Sequence, residues 1–276
     1  MAQNNILIIG KKSFVGTCLY NYLKKKIRVK LINYLDFETK EIFKINEYSH
    51  IINCSISKHY INKKYNYLKD YDLKIASKIR KTNIKLIFLS SRKVYKPKVN
   101  IKESSKLEPL CHYSRNKLKT EIKLKNIMKQ QNILIFRISN LVGLPITKNK
   151  NKVHYTFIDF FFDSVKKGII YDNGKSFKDF VSVDKFSEVV YLCIKKKLNG
   201  VYNLSIGKKI YLNNLVKWLN YYNKKKVVFL KPNKNFNNDN FTLNSSKLMR
   251  HIKIKNRIVD LKKYCKAISR MYFINK

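Results

Sequence analysis

The sequence predicts an open α/β fold, a doubly wound parallel sheet followed by a smaller C-terminal lobe. Two observations carry this. Short β-branched apolar runs alternate with stretches of helical period through the first half of the chain, the pattern of successive βαβ units. The runs are also continuously apolar rather than alternating, as strands covered on both faces are. Crossovers between parallel strands are right-handed almost without exception, which sets the hand of the sheet.

The elements follow in order. Ile6 to Ile9 is the first buried strand, and Gly10 to Gly16 is a glycine-bearing turn. Thr17 to Lys26 has apolar residues at helical spacing (Cys18, Leu19, Tyr22, Leu23), and Val29 to Ile32 is a second strand. Ser49 to Cys54 is a strand, Tyr67 to Lys81 an amphipathic helix, and Ile84 to Ser91 another strand. Tyr113 to Gln130 is a long helix and Ile133 to Arg137 a strand. From about residue 144 the texture changes. The Lys/Asn-rich stretch Lys148 to Lys152 leads into a helix near Thr156 to Lys167, then a strand and turn from Ile169 to Gly174. Phe180 to Val183 and Val201 to Leu204 are strands, Asp184 to Lys196 and Leu212 to Tyr222 helices, and Lys231 to Asn240 a polar loop. The expected division is 1–143 for the sheet domain and 144–276 for the lobe, with a segment at about 178–204 returning to the sheet.

Composition narrows the function. With 276 residues, 45% of them apolar, the chain can bury a full core, which excludes wholesale disorder. Lys+Arg total 60 against 17 Asp+Glu, a formal +43. Only 8 of the 60 are Arg, and Lys is spread over nearly every segment. A nucleic-acid footprint is a patch or stripe instead. Lys, Asn, Ile and Tyr are together the residues of A/T-rich codons, so a mutational bias accounts for the charge more simply than a nucleic-acid partner. The field still favours anionic ligands such as nucleotides. The five cysteines (Cys18, Cys54, Cys111, Cys193, Cys265) are odd in number, far apart and without a CxxC pair. That argues against a zinc site and for a reducing compartment, the cytoplasm. No stretch approaches the apolar length of a membrane span.

Three constellations can carry chemistry. In the first, the glycine turn lets backbone N–H groups and a helix N-terminus face a pyrophosphate. Gly10 suits the tight turn and Gly16 close helix–strand packing, with Ser13, Phe14 and Val15 between them. Ser13 stands where the middle glycine of a G-x-x-G-x-x-G spacing is expected. Second, Tyr113 and Lys117 are four apart, on one helix face. A phenol ordinarily titrates near pH ~10, too high for a general base at neutrality; a neighbouring ammonium favours the phenolate. Third, Ser90-Ser91 ends a strand, where ligands of open α/β sheets bind.

In this joint order the sequence resembles the extended short-chain dehydrogenases/reductases, the nucleotide-sugar epimerases, dehydratases and reductases. The resemblance spans nearly the whole chain. Ile6 to Gly16 resembles the family's opening strand and turn of its Rossmann-type sheet, and Ile51 to Ser55 its fourth-strand signature. Phe88 to Tyr95 is similar to the block that carries the catalytic Ser, which falls on Ser91. Arg137 to Gly143 resembles the block whose Asn contacts substrate, Phe177 to Asp184 the Arg-Asp-Phe-x-x-Val-Asp block, and Gly200 to Leu204 and Leu243 to Arg250 the closing elements.

The resemblance implies a specific chemistry. Tyr113 exchanges a proton with a sugar hydroxyl or carbonyl. Lys117 holds the nicotinamide ribose and favours the Tyr113 phenolate, and Ser91 positions the reacting oxygen. NAD or NADP is the implied cofactor. Gly10, Ser13, Phe14, Val15, Gly16, Asn33, Asp36, Asn53, Tyr113 and Lys117 are its contacts. Ser91, Asn140, Lys178 and Arg250 face the nucleotide sugar, and no metal is implied. Three departures stand out. Ser13 replaces a glycine, and Lys178 stands where an Arg usually holds diphosphate and cannot make the same fork. Asn33 stands where an acid often binds ribose, so the choice between NAD and NADP stays open and Asp36 is the nearest acid. No Thr-Asp-Glu follows the fifth strand, which disfavours the 4,6-dehydratases. The short span from Gly10 to Asn53 resembles 4-keto-sugar reductases more than long-loop epimerases. Members often dimerise through a helix pair, and the Tyr113 helix is the candidate. Two other readings compete with an epimerase or ketoreductase: a non-catalytic dinucleotide-binding relative, and a polyanion-binding protein.

Overall fold

The computed structural model describes residues 5–39, 45–144, 157–171, 175–225, 228–230, 239–255 and 257–274. The chain opens with β1 (Asn5–Ile9), α1 (Phe14–Leu23), β2 (Arg28–Ile32) and α2 (Tyr34–Thr39). Next come β3 (His50–Asn53), α3 (Lys58–Asn62), α4 (Tyr71–Ile79), β4 (Lys85–Ser91), α5 (His112–Ile127) and β5 (Ile133–Ile138). The second half holds β6 (Asn140–Val142), α6 (Phe157–Lys167), β7 (Ile169–Tyr171), β8 (Phe177–Lys178), β9 (Phe180–Ser182) and α7 (Val183–Lys195). It ends with β10 (Gly200–Leu204), β11 (Ile210–Tyr211), α8 (Leu212–Leu219), β12 (Val228–Leu230), α9 (Ser246–Ile252) and α10 (Ile258–Phe273).

Six strands form one parallel sheet in the order β10-β5-β4-β3-β1-β2. Every residue of β1 is buried, which explains its unbroken apolar run. Strand periodicity divides it between two cores. Ile6 and Ile8 join Ile52, Ile87, Leu134 and Phe136 against α1 and α7, through Leu19, Leu23, Phe186 and Val190. Leu7 and Ile9 join Ile51, Leu86, Phe88 and Ile135 against α2, α4 and α5, through Phe37, Leu73, Ile75 and Leu124. The sheet is therefore covered on both faces, the Rossmann-type arrangement expected.

The rest of the second half packs a third core, in which Phe161 and Val165 of α6, Leu215 and Leu219 of α8, and Leu261, Cys265 and Ile268 of α10 meet Phe180. Three two-stranded pairs accompany it: β6 with β9, β8 with β11, and β7 with β12. The sequence reading overlooked α10. The expected helix from Tyr67 is split, a 3-10 turn at Tyr67–Lys69 preceding α4, because Asp70 caps α4 by accepting from the Leu73 amide at 3.1 Å. The expected Lys148–Lys152 loop and most of the Lys231–Asn240 loop lie outside the described residues.

Candidate active site

The strand order reverses between β3 and β1, the switch point at which open α/β sheets bind ligands in the crevice outside the carboxyl ends of their strands. Gly10 sits there with φ +139, and a Cβ on it would stand 3.0 Å from the backbone of Cys54, just past β3. A Cβ on Gly16 would lie 2.4 Å from the Gly10 carbonyl oxygen. Both positions therefore demand glycine, and the start of α1 is pressed onto the turn. Ser13 needs no such freedom. Its backbone is extended, and its Oγ accepts from the Gly16 amide at 3.3 Å as the N-cap of α1. The serine thus serves the helix whose N-terminus faces the crevice.

Beside the turn, Asn33 directly follows β2, its amide and side chain both donating to Asp36 Oδ2, at 3.3 and 3.2 Å. The nearest acid to the end of β2 is thereby fixed in place. Asn53 ends β3 buried, donating to the Ser55 carbonyl (3.1 Å) and accepting from the Ser55 amide (2.9 Å). Its Nδ2 also donates to Asp72 Oδ1 at 2.9 Å. Asn53 therefore shapes the turn after β3 instead of projecting into the crevice.

Ser90 and Ser91 point to opposite sides of β4, as strand alternation requires. Ser90 is buried and donates to Glu121 Oε1 at 2.5 Å. Ser91 is half-buried at the crevice and accepts from the Lys93 amide at 3.2 Å as the cap of a 3-10 turn. Of the two, Ser91 is the one left with access to a ligand. Helix α5 packs on β4 and on that turn, carrying half-buried Tyr113 and, one turn further, buried Lys117. Cys111 caps α5. Burial raises its thiol, but hydrogen bonds from Ser114 and the charge of Lys93 outweigh that and hold it below the ordinary thiol range.

A buried network fastens α5 to the sheet. Glu121 and Arg137, with side chains 1% and 3% exposed, meet at two points, the Arg137 Nη2 donating to Oε2 at 2.6 Å and Nε to Oε1 at 3.1 Å. Arg137 Nη1 donates to the Tyr95 hydroxyl at 2.7 Å, which donates on to Asn203 Oδ1 at 3.0 Å. Burial opposes the guanidinium charge, but Glu121 prevails and Arg137 is held above its ordinary range. The network ties β4, α5, β5 and β10 together just behind Ser91.

On the lobe side, Asn140 starts β6 opposite Phe180 of β9. Lys178 lies in β8, and its Nζ donates to the carboxylate of Asp239 at 3.1 Å and to its carbonyl at 3.2 Å. The same carboxylate accepts from both terminal nitrogens of buried Arg92, whose guanidinium stacks 3.9 Å from the Phe241 ring centre. Burial alone would raise Asp239, yet Arg92 and Lys178 keep it below the usual carboxylate range. Behind Lys178, buried Asp179 accepts from the amides of Gly207 and Leu243, and burial pushes it up to about 7 against those hydrogen bonds.

The structure does not bring Arg250 to this cluster. Leu248 and Ile252 are the buried residues of α9, which leaves Arg250 exposed on the outward side. It lines a cavity of about 1040 Å³ with Lys102, Lys125, Lys247, Ile133 and Gly200. Ile133 and Gly200 begin their strands, so the cavity lies at the end of the sheet opposite Gly10 and Ser91. The sequence reading missed Arg92, Asp239, Asp72 and Glu121. A signal for Arg92 was there, since one of only 8 arginines directly follows Ser91. Glu121 likewise lies one turn beyond Lys117, on the same helix face.

Fold and strand order together define a doubly wound α/β protein of the dinucleotide-binding kind, with Ser91 at the end of β4 and Tyr113 and Lys117 on the helix packed against that strand. The family model of the NAD dependent epimerase/dehydratase family matches residues 6–205. The chain belongs to that NAD-dependent family. No curated protein matches the sequence. Among solved structures, it is similar to the UDP-N-acetylglucosamine 4-epimerase of Methanobrevibacter ruminantium in complex with UDP-N-acetylmuramic acid, at 20% identity over 100% of both chains and a TM-score of 0.80. RMD from Pseudomonas aeruginosa complexed with NADPH is 15% identical over 99% of this chain and 100% of its own, TM-score 0.78. The dTDP-glucose 4,6-dehydratase of Bacillus anthracis in complex with NAD is 16% identical over 99% and 97%, TM-score 0.75. At these identities the likeness speaks for the fold. No helix among the described residues is long and apolar enough to cross a membrane.

Proposed function

We propose that the protein is an NAD(P)-dependent epimerase or ketoreductase of a nucleotide-linked sugar, working by hydride transfer with Tyr113 as general acid/base. The observation that supports this most is that α5, the helix of Tyr113 and Lys117, packs on β4 and on the 3-10 turn that Ser91 caps. The turn fits a dinucleotide. Gly10 and Gly16, having no Cβ, let the start of α1 close on the turn, and the N-terminus of α1 gives an anion the positive end of a helix dipole. Asp36, held by Asn33, accepts from ribose hydroxyls in this reading. The nicotinamide, when bound, supplies hydride acceptance and return.

The chain's own residues do the rest. The Tyr113 phenolic oxygen takes or gives the proton of the sugar oxygen. The Lys117 ammonium donates to ribose hydroxyls. Ser91 Oγ donates to the same sugar oxygen and stabilises charge developing there. Lys178 and Arg92 share the Asp239 carboxylate and so leave one net positive charge for the anionic part of the substrate, with Asn140, whose amide meets the Asp179 carbonyl, beside them, and the lobe 144–276 supplies this side of the cleft. Helix α5, with Ile122 exposed, is the surface for a second copy. The five free thiols fit a reducing compartment such as the cytoplasm.

Titration with NAD, NADH, NADP and NADPH tests the reading. Micromolar binding of one oxidised/reduced pair is expected. With that cofactor and a panel of sugar nucleotides, Tyr113→Phe should lower turnover about 10²-fold or more while leaving cofactor affinity intact. Binding without turnover of any sugar nucleotide would favour the non-catalytic dinucleotide-binding relative. No binding of any of the four would overturn both.

A further inference from the structure

Lys117 stands in a slot that burial makes hostile to an ammonium. Its Nζ lies 4.6 Å from the ring centre of Phe88 and 5.5 Å from that of Tyr60. Ring faces attract a cation, but by only about 0.5–2 kcal/mol each, less than the cost of removing a charge from water. The slot contains one group that the chemistry above does not use. Asp72 Oδ2 lies 3.9 Å from the Lys117 Nζ, and both side chains are 7% exposed.

The geometry of that pair is informative. At 3.9 Å the contact is an ion pair and not a hydrogen bond, so it supplies counter-charge while occupying none of the ammonium's donors. Asp72 is itself held in orientation, because its Oδ1 accepts from Asn53, which both ends of its amide fasten to Ser55. A chain of contacts therefore runs from the turn after β3 to Lys117. A helix-capping role does not explain Asp72, since Asp70 already caps α4.

We propose that Asp72 is a positioning residue for Lys117, supplying the counter-charge that keeps the ammonium in its slot with its donors turned to a ligand. The proposal rests on the reading of Lys117 given above. It brings a pH dependence with it. Burial pushes the Asp72 carboxyl up to about 7, with Asp70 adding to the rise and Lys117 and Asn53 opposing it. The ion pair is thus complete above that pH and lost below it. The other titratable groups facing the pair are Asp70 at the head of α4, Tyr60 on α3, Cys54 after β3, Tyr34 on α2 and Tyr65 ahead of α4, the two latter phenols also raised by burial. Burial raises Tyr60 and Cys54 far above neutrality. Asp70 is tied to Thr120 (2.6 Å), Tyr65 (2.8 Å) and the Leu73 amide.

The test is Asp72→Asn, which keeps the shape and removes the charge, with Asp72→Glu as the charge-retaining control. In the wild type, affinity for the preferred dinucleotide and kcat should both weaken as pH falls through about 7. Asp72→Asn should lose that inflection and lower kcat at pH 8 about tenfold, as a displaced catalytic group does. Asp72→Glu should recover most of the loss. Wild type that binds dinucleotide with no inflection near pH 7, or Asp72→Asn with wild-type kcat and pH profile, overturns the proposal and leaves the functional reading standing. Equal losses of kcat in Asp72→Asn and Asp72→Glu, paralleled by equal losses of melting temperature, overturn it in favour of a core-packing acid. Wild type that binds no dinucleotide at any pH overturns the functional reading and this proposal with it.

Discussion

The Glu121–Arg137 pair offers the sharpest test of how α5 is held. Glu121→Ala deletes a carboxylate that accepts from Ser90 and makes a two-point contact with Arg137. The guanidinium, 3% exposed, keeps only Tyr95 and the Glu103 carbonyl as partners. Breaking a buried pair from one side costs about 3–5 kcal/mol, because the remaining charge is left uncompensated. Glu121→Gln preserves the shape and one acceptor oxygen, so its cost should be nearer about 1.5–3 kcal/mol, the range for hydrogen bonds to charged groups. The double change Glu121→Leu with Arg137→Met removes both charges and should be milder than Glu121→Ala alone. Urea unfolding followed by circular dichroism measures all three, with the slope checked for constancy. Glu121→Ala costing under about 1 kcal/mol would place the pair in an effectively aqueous setting and refute the argument. So would a double variant less stable than Glu121→Ala. In the folded fraction of Glu121→Gln, kcat should fall more than KM rises, since α5 carries Tyr113 and Lys117.

Three further outcomes follow from the same geometry. Gly16→Ala must push α1 off the turn, since its Cβ would stand 2.4 Å from the Gly10 oxygen. It should destabilise by about 1–3 kcal/mol and abolish dinucleotide binding in a fluorescence titration; unchanged affinity would show that the turn is not the phosphate seat. Burial and Lys85 hold His50 down to about 4, so below its unfolded value near ~6.5 the unfolded chain takes up a proton that the folded one refuses. Stability should fall between those values by about 3 kcal/mol at most, and His50→Gln should remove that slope from pH-dependent melting curves. Lys178→Gln removes one charged donor from the cluster around Asp239 and should raise KM for the sugar nucleotide about tenfold. Steady-state kinetics in which kcat falls and KM stays constant would instead move Lys178 to the reacting centre.

The sheet was legible because burial on both faces writes itself into composition, as the unbroken run Ile6 to Ile9 shows. That Tyr113 and Lys117 share one helix face was legible because helical spacing is strict, while the roles given to them and to Ser91 came from the resemblance. Elements of two or three residues, such as β6, β8 and β11, are too short to show a period. Helix α10 buries Leu261, Cys265 and Ile268 at helical spacing, but lysines between them dilute the apolar signal. Partners from distant segments left no local trace at all. Asp72 reaches Lys117, and Asp239 reaches Arg92, only through the tertiary fold. In a chain with 17 acids against 60 bases, however, each acid within an apolar stretch was a candidate for burial beside a base.

One feature of the topology bears on how the chain is made. The sheet takes its last strand, β10, from beyond α6 and α7, and β10 lies alongside β5 from Gly200↔Leu134 to Leu204↔Ile138. During synthesis β5 therefore emerges as a bare edge and stays one until residue 204 has been made. An unprotected row of backbone donors and acceptors flanked by Ile133, Leu134, Ile135 and Phe136 is the kind of surface that recruits a strand from a neighbouring chain. For this protein the interval between those two strands is when aggregation competes with folding, and a nascent chain paused within it depends on whatever shields β5 in the meantime.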